Sequence, residues 1–322
     1  MWPFLVIGAL GAMACGSCWW LRSSGINGIL FQPEKPRYSC VYEDGWRTAS
    51  RKFNCRYWIS RDGDGGKQNS GHDVSTNNIP GSTSSRSSSS SSTGGKRRGI
   101  KGRGGGGGDG AHHTAPLIIV YLHANAENAN DGRQYLQQLQ SLLNQEEKKT
   151  ILVAPEYPGY GPDDYGRINP SVASSKRAAF RAVRAVMSGN PHSQVVLIGR
   201  SIGTGVTCWL ANQIDSRRLQ GLVLISPFVS ISELAHDLAG SLGSIAPPVF
   251  TNDEELRRLS PNVPVLLIHG NSDRLISPRH SGRLAFLLGT KRATSLYIIP
   301  GGHNGLDVYS HPVKFINSSF IF

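Results

Sequence analysis

Hydrophobic positions in this chain fall into short unbroken runs separated by longer stretches with helical spacing. The runs occupy residues 117–122, 151–154, 195–198, 222–225, 265–268 and 296–299. None alternates with polar residues, as a strand with one solvated face would, so each is expected to be a strand covered on both sides. Between and after them, apolar residues recur every three or four positions over 132–144, 174–187, 202–214, 278–288 and 312–322, and less regularly over 231–259. Strands of that kind alternating with helices predict a mostly parallel, doubly wound α/β sheet, in which ligands bind beyond the carboxyl ends of the strands. Farther upstream, residues 38–59 hold Tyr, Val, Trp and Phe in short runs broken at Asp44-Gly45, which predicts a β-hairpin.

Two segments interrupt this pattern. Residues 2–21 carry no charged side chain, and a helix of that length spans about 30 Å, the thickness of a bilayer's hydrocarbon core. A membrane anchor is the first reading. A cleaved signal peptide is the other, with 4–13 as its apolar region and Ala12 and Ala14 ahead of a cut at Cys15. Against a cut, no Lys or Arg precedes the run, which continues through Trp19, Trp20 and Leu21. Arg22, Lys35 and Arg37 follow the span, so an anchored domain is expected to face the cytosol and a cleaved one to enter the secretory pathway. Cys15 and Cys18 are either S-acylation sites or ordinary apolar residues of a membrane helix. Residues 61–115 turn instead to Ser, Gly, Asn and Lys/Arg, with too little apolar surface for a core, and are expected to be a disordered insertion between the second and third strands. The expected organisation is thus an anchor or signal at 1–21, a linker and first hairpin at 22–60, the insertion at 61–115 and an α/β core at 116–322.

Composition narrows the class without changing this layout. Thirty-four Lys and Arg against 22 Asp and Glu leave a charge of +12, yet only 17% of the 322 residues are charged and 39% are hydrophobic, which excludes a wholly disordered polyelectrolyte. The basic cluster Lys96, Arg97, Arg98, Lys101 and Arg103 lacks interleaved aromatics, so no specific nucleic-acid partner is expected. Lys176, Arg177, Arg181 and Arg184 read as a solvated helix face or a contact with anionic lipid. The five cysteines are odd in number and scattered, without paired Cys-x-x-Cys knuckles, so neither a disulfide framework nor a zinc site is expected.

The chemistry concentrates after the strands. Gly199-Arg200-Ser201-Ile202-Gly203 joins the strand 195–198 directly to a helix. A G-x-S-x-G in that context holds its serine at a sharp apex, with Gly199 and Gly203 leaving room for the turn to close. A serine is a weak nucleophile until a histidine, itself oriented by a carboxylate, takes its proton. Asp273 stands just past the strand 265–268, whereas Asp253, Glu254 and Glu255 fall in a helical run expected to be solvated. His303 lies in the Gly301-Gly302-His303-Asn304 loop after the last strand, while His269 and His280 are expected to be structural or surface residues. Ser201, Asp273 and His303 are therefore the expected triad, in the chain order Ser, Asp, His. Two backbone N–H groups are needed for the oxyanion, and the candidates are Ile202 and Asn125, with Ala124 as a register alternative to Asn125.

His123-Ala124-Asn125-Ala126-Glu127, Glu156-Tyr157-Pro158-Gly159-Tyr160-Gly161, Gly199 to Gly205, His269-Gly270-Asn271-Ser272-Asp273 and Gly302-His303-Asn304, in that order, resemble the α/β-hydrolase-domain subfamily that includes membrane-associated acyl-protein thioesterases, the depalmitoylases. The resemblance runs from about residue 117 to the C-terminus and more faintly through the hairpin. It implies an α/β-hydrolase fold, a Ser201, Asp273, His303 triad, thioester or ester hydrolysis through an acyl-enzyme with no metal or organic cofactor, and an acyl-bearing protein or lipid as partner; the segment of about 40 residues between the strands 222–225 and 265–268 is short for a large lid, so a minimal lid is expected. Departures are Ala124 where the family usually has glycine, the long insertion, and two early cysteines rather than many. A serine peptidase, a general carboxylesterase and a non-catalytic basic membrane-tethered binder are the alternatives.

Overall fold

A computed structural model describes residues 31, 33, 46–50, 55–61, 115–143, 149–162, 164–241, 246–290 and 292–318. The chain divides into two units, residues 1–64 with 115–322, and residues 65–114. The second unit lies outside the described residues, and so do the expected membrane segment 2–21 with Cys15 and Cys18. Among the described residues no helix is long and apolar enough to cross a membrane.

The strands are β1 (Trp46–Ser50), β2 (Cys55–Arg61), β3 (Leu117–Leu122), β4 (Thr150–Pro155), β5 (Val195–Arg200), β6 (Leu219–Ile225), β7 (Val265–Gly270) and β8 (Thr294–Ile299). The helices are α1 (Ala129–Leu142), α2 (Val172–Ser188), α3 (Ile202–Ala211), α4 (Ile231–Ala239), α5 (Asn252–Arg258), α6 (Arg279–Leu288) and α7 (Ser310–Ser318). The eight strands form one sheet in the order β1-β2-β4-β3-β5-β6-β7-β8. β1 and β2 pair antiparallel, β2 runs antiparallel to β4, and every other neighbouring pair is parallel.

Alternate residues of the central strands point to opposite faces, and both faces are apolar. Ile118, Val120, Leu122, Leu197, Leu224 and Leu267 pack on one side with Ala179, Ala182 and Val183 of α2 and Val206 and Leu210 of α3. Ile119, Tyr121, Ile198, Val223 and Ile268 pack on the other with Leu136 and Leu139 of α1 and Ile316 of α7. Double coverage is why these strands show no polar alternation. β8 departs from that expectation: Tyr297 is 43% and Ile298 47% exposed, and among the described residues this strand is the last of the sheet.

The hairpin also differs from its expected form. Trp46 pairs with Trp58 and Ser50 with Cys55, so the two paired strands are joined between Ser50 and Cys55, whereas the expected break at Asp44-Gly45 lies before β1 and outside the described residues. An Asp-Gly pair permits a turn, but cross-strand pairing decides which permissive site is used.

The strand order places the ligand site. After β3 the chain crosses to β4 on one side, and after β5 it crosses to β6 on the other. Their connections diverge, opening a crevice at the carboxyl ends of β3 and β5, the topological switch point of an open α/β sheet.

Candidate active site

β5 ends at Arg200 and α3 begins at Ile202, so a single residue, Ser201, reverses the chain. Its φ of 52° and ψ of −122° are strained for a residue with a Cβ. The apex is held by the Ser201 N–H, which donates to the Ile225 carbonyl of β6 at 2.9 Å. Close approach of α3 to the end of β3 demands glycine at 203: a Cβ there would overlap the Leu122 carbonyl oxygen and lie 2.7 Å from that of His123. At Gly199 it would collide with Thr207 Oγ1 and sit 2.8 Å from the Gly203 carbonyl oxygen. Gly203→Ala is therefore expected to destabilise the fold by about 3 kcal/mol, since the obstructing atoms are backbone and cannot rotate away. Urea melts of the two proteins check this, and an unchanged midpoint would show that the β3 end yields freely.

Three loops converge on the apex. His303 Nδ1–H donates to Asp273 Oδ2 at 2.8 Å, which leaves Nε2 as the acceptor for the Ser201 hydroxyl at 3.0 Å. Asp273 follows β7, and its Oδ1 accepts the N–H groups of Leu275 and Ile276, both at 2.9 Å. Burial alone would raise this carboxyl's pKa. Hydrogen bonds from His269, His303 and the Ile276 N–H outweigh burial and hold it well below the usual carboxylate range. The group is thus an anion with a fixed orientation beside the imidazole.

The loop after β3 is pinned to the same centre. Glu127 Oε2 accepts the Ala124 N–H at 2.8 Å and the Tyr121 hydroxyl at 2.9 Å, while Oε1 pairs with the Arg200 guanidinium. Burial and the Glu127 charge push the Tyr121 phenol well above its ordinary value, so it remains a donor. Arg200 also donates to the His303 carbonyl at 3.2 Å and to Asn304 Oδ1 at 3.3 Å. One ion pair thereby ties the oxyanion-loop candidate to the histidine loop. The N–H of Ala124, the register alternative for the oxyanion donor, is thus engaged by Glu127. Asn125 is oriented from the far side, where its Oδ1 accepts the Tyr160 hydroxyl at 2.6 Å.

The structure thus brings Ser201, His303 and Asp273 into one hydrogen-bonded chain, with Ile202 opening α3 beside it and Asn125 in the facing loop. Other sequence expectations need correction. Glu255 is not solvated: it is buried in α5 and bonded by Asn212 at 2.9 Å. Of the two placements expected for His269 and His280, structural or surface, both take the buried one, and His269 lies against Asp273. The Glu127–Arg200 pair was missed although both residues stand inside recognisable motifs. Seventy-three positions separate them, and no local pattern signals such a contact.

Strand order, the single-residue apex after β5 and the placement of the three loops define an α/β-hydrolase domain. No family model matches the chain. It is similar to the uncharacterized protein YfhR of Escherichia coli O157:H7, 26% identical over 192 residues that cover 60% of this chain and 64% of that protein. It is also similar to YfhR of Salmonella typhimurium, 24% identical over 201 residues covering 60% and 65%. The chain therefore spans a little under two thirds of the length of the curated relatives it matches. Among solved structures it is similar to an alpha-beta hydrolase from Vibrio vulnificus (TM-score 0.48, 19% identity, covering 58% of this chain and 67% of the other). An esterase of Pyrococcus furiosus (TM-score 0.48, 12% identity, 64% and 82%) and a monoacylglycerol lipase of Paleococcus ferrophilus (0.46, 17%, 64% and 96%) resemble it to the same degree.

Proposed function

We propose that the protein is a serine hydrolase that cleaves thioesters or esters of fatty acyl groups through a covalent acyl-enzyme, acting as an acyl-protein thioesterase. The observation that carries this reading is the strained Ser201 with its hydroxyl 3.0 Å from His303 Nε2, whose other nitrogen is held by Asp273. His303 takes the Ser201 proton as Oγ attacks the acyl carbonyl, and the oxyanion is met by the N–H groups of Ile202 and Asn125. The imidazolium then protonates the departing thiolate or alkoxide. Water, deprotonated by the same nitrogen, attacks the acyl carbonyl and frees Ser201.

A substrate presented on a protein or at a membrane surface fits the modest connection between β6 and β7, whose described residues form the short helices α4 and α5. The positive charge after residues 2–21 supports an anchored domain on the cytosolic face, where acylated cysteines of peripheral proteins reside. A glycan on Asn317 of the Asn317-Ser318-Ser319 acceptor, or a mature chain starting at Cys15, would place the domain in the secretory pathway and end the cytosolic assignment. Turnover of S-acylated peptides, short-chain esters and peptide amides, measured side by side, tests the leaving group. Thioester cleavage at least tenfold above amide cleavage in kcat/KM is expected. Fast amide cleavage without thioesterase activity would make it a peptidase, and salt-sensitive RNA binding with no fluorophosphonate labelling would make it a binder.

A further inference from the structure

Asp273 stands between two histidines. Toward solvent, His303 donates to Oδ2 at 2.8 Å. Toward the interior, His269 of β7, fully buried, places Nε2 3.3 Å from the same oxygen. Neighbouring groups dictate where the His269 proton sits. Nε2 is 2.9 Å from the Ile276 carbonyl, which only accepts, so Nε2 carries the hydrogen. Nδ1 is then an acceptor for the Ser281 hydroxyl 2.6 Å away, and Ser281 is itself fully buried on α6. Hydrogen bonds run from Ser201 through His303 to Asp273 and, on the inner side, from Ser281 to His269, whose Nε2–H is donated to the Ile276 carbonyl with Asp273 Oδ2 3.3 Å from the same nitrogen. The outer arm ends at the nucleophile, and the inner arm repeats the same groups with the hydroxyl sealed from solvent.

We propose that His269 and Ser281 are positioning residues for the reaction, fixing the orientation of Asp273 and drawing off part of the charge that Oδ2 presents to His303. The proposal rests on Ser201, His303 and Asp273 being the reacting groups. Two N–H groups on Oδ1 fix one edge of the carboxylate, and the His269 N–H, its nitrogen 3.3 Å from Oδ2, faces the other. With that donor removed, Oδ2 would bear more charge toward His303 and stabilise its imidazolium. The other titratable groups facing these residues are Arg200, on the His303 carbonyl, and His280, beside Ser281 on α6. His280 is turned elsewhere: its Nδ1 accepts the Val229 N–H and its Nε2 faces Asp237 of α4 at 3.4 Å.

The test follows fluorophosphonate labelling rate against pH in the full chain. His269→Phe removes the donor, and the acidic limb is expected to move up by about half a pH unit, which slows labelling roughly threefold below the limb. His269→Gln, whose amide nitrogen donates from near the Nε2 position, returns the limb toward its original place. Ser281→Ala keeps the imidazole but loosens it, giving a smaller shift of the same sign. A second readout needs no turnover: NMR titration of the His303 imidazole in a Ser201→Ala background, with the same upward shift expected on His269→Phe. Should His269→Phe fail to fold, Ser281→Ala decides by the same two measurements. A limb and a His303 titration unmoved in these variants, whatever their Tm, would reduce the inner arm to a structural role and overturn the proposal. Labelling that survives Ser201→Ala would instead sink the hydrolase reading, and the NMR titration would still decide this one.

Discussion

Ser201→Ala is expected to lower kcat on any acyl substrate by about a million-fold, the scale seen when a member of a hydrogen-bonded triad is removed. Labelling by a fluorophosphonate should vanish with it. Both effects would have one cause, since the proposed reaction forms its covalent bond at Oγ, the atom 3.0 Å from His303 Nε2. Stability should change by less than about 1 kcal/mol, because the substitution removes one oxygen and leaves the backbone turn as it was. Ser201→Gly would be equally inactive, yet more stable than Ser201→Ala by about 1 kcal/mol, because glycine adopts a φ of 52° without the penalty of a Cβ. Active-site titration, steady-state turnover and urea melts of the three proteins test the set together. Turnover of Ser201→Ala within tenfold of the parent would mean that another residue is the nucleophile.

Asp273→Asn should cost about four orders of magnitude in kcat with little change in fold. The carboxylate accepts from His303, Leu275 and Ile276 and lies within 3.3 Å of His269 Nε2. A carboxamide has one acceptor oxygen and two N–H donors. If its oxygen keeps the two backbone N–H groups, its NH₂ faces both imidazoles. His303 must then change tautomer, presenting a hydrogen and not a lone pair to Ser201. The substitution also has a signed stability effect. Asp273 has a pKa depressed in the folded state, so it contributes stability that is fully present above the unfolded value of about 3.9 and is lost as pH falls toward the folded value. The margin of the parent over Asp273→Asn should therefore shrink as pH falls below about 4. A margin that does not shrink there would contradict the assigned charge state, and a kcat loss below tenfold would contradict the assigned role.

Legibility differed sharply between parts of this molecule. β3 was readable to the residue, because six consecutive apolar side chains can be satisfied only by cover on both faces. The turn at Ser201 was readable because the residues that enforce it lie within two positions of it, at Gly199 and Gly203. The hairpin was readable as a hairpin but not in its register, since Asp44-Gly45 and the segment after Ser50 were both open to turning until Trp46 paired with Trp58. The irregular stretch 231–259 resolved into α4 and α5, and Glu255 of α5 turned inward to Asn212. A buried acid with a distant partner has no local signature.

What the sequence determined by itself was set by interactions between near neighbours: the alternation of strands and helices, the strained serine between its glycines, and the order in which serine, acid and histidine are met along the chain. Tertiary structure alone decided which distant groups share a hydrogen bond. The parallel pairing of β3 with β5 put Glu127 against Arg200, the packing of α6 under β7 put Ser281 against His269, and the buried carboxylate between two imidazoles became visible only once both histidines were placed. The physical reason is that backbone periodicity and turn sterics act over a few residues and leave a pattern in the chain. Hydrogen bonds among polar groups at the sheet edge depend instead on strand order, which brings together residues 73 and 102 positions apart.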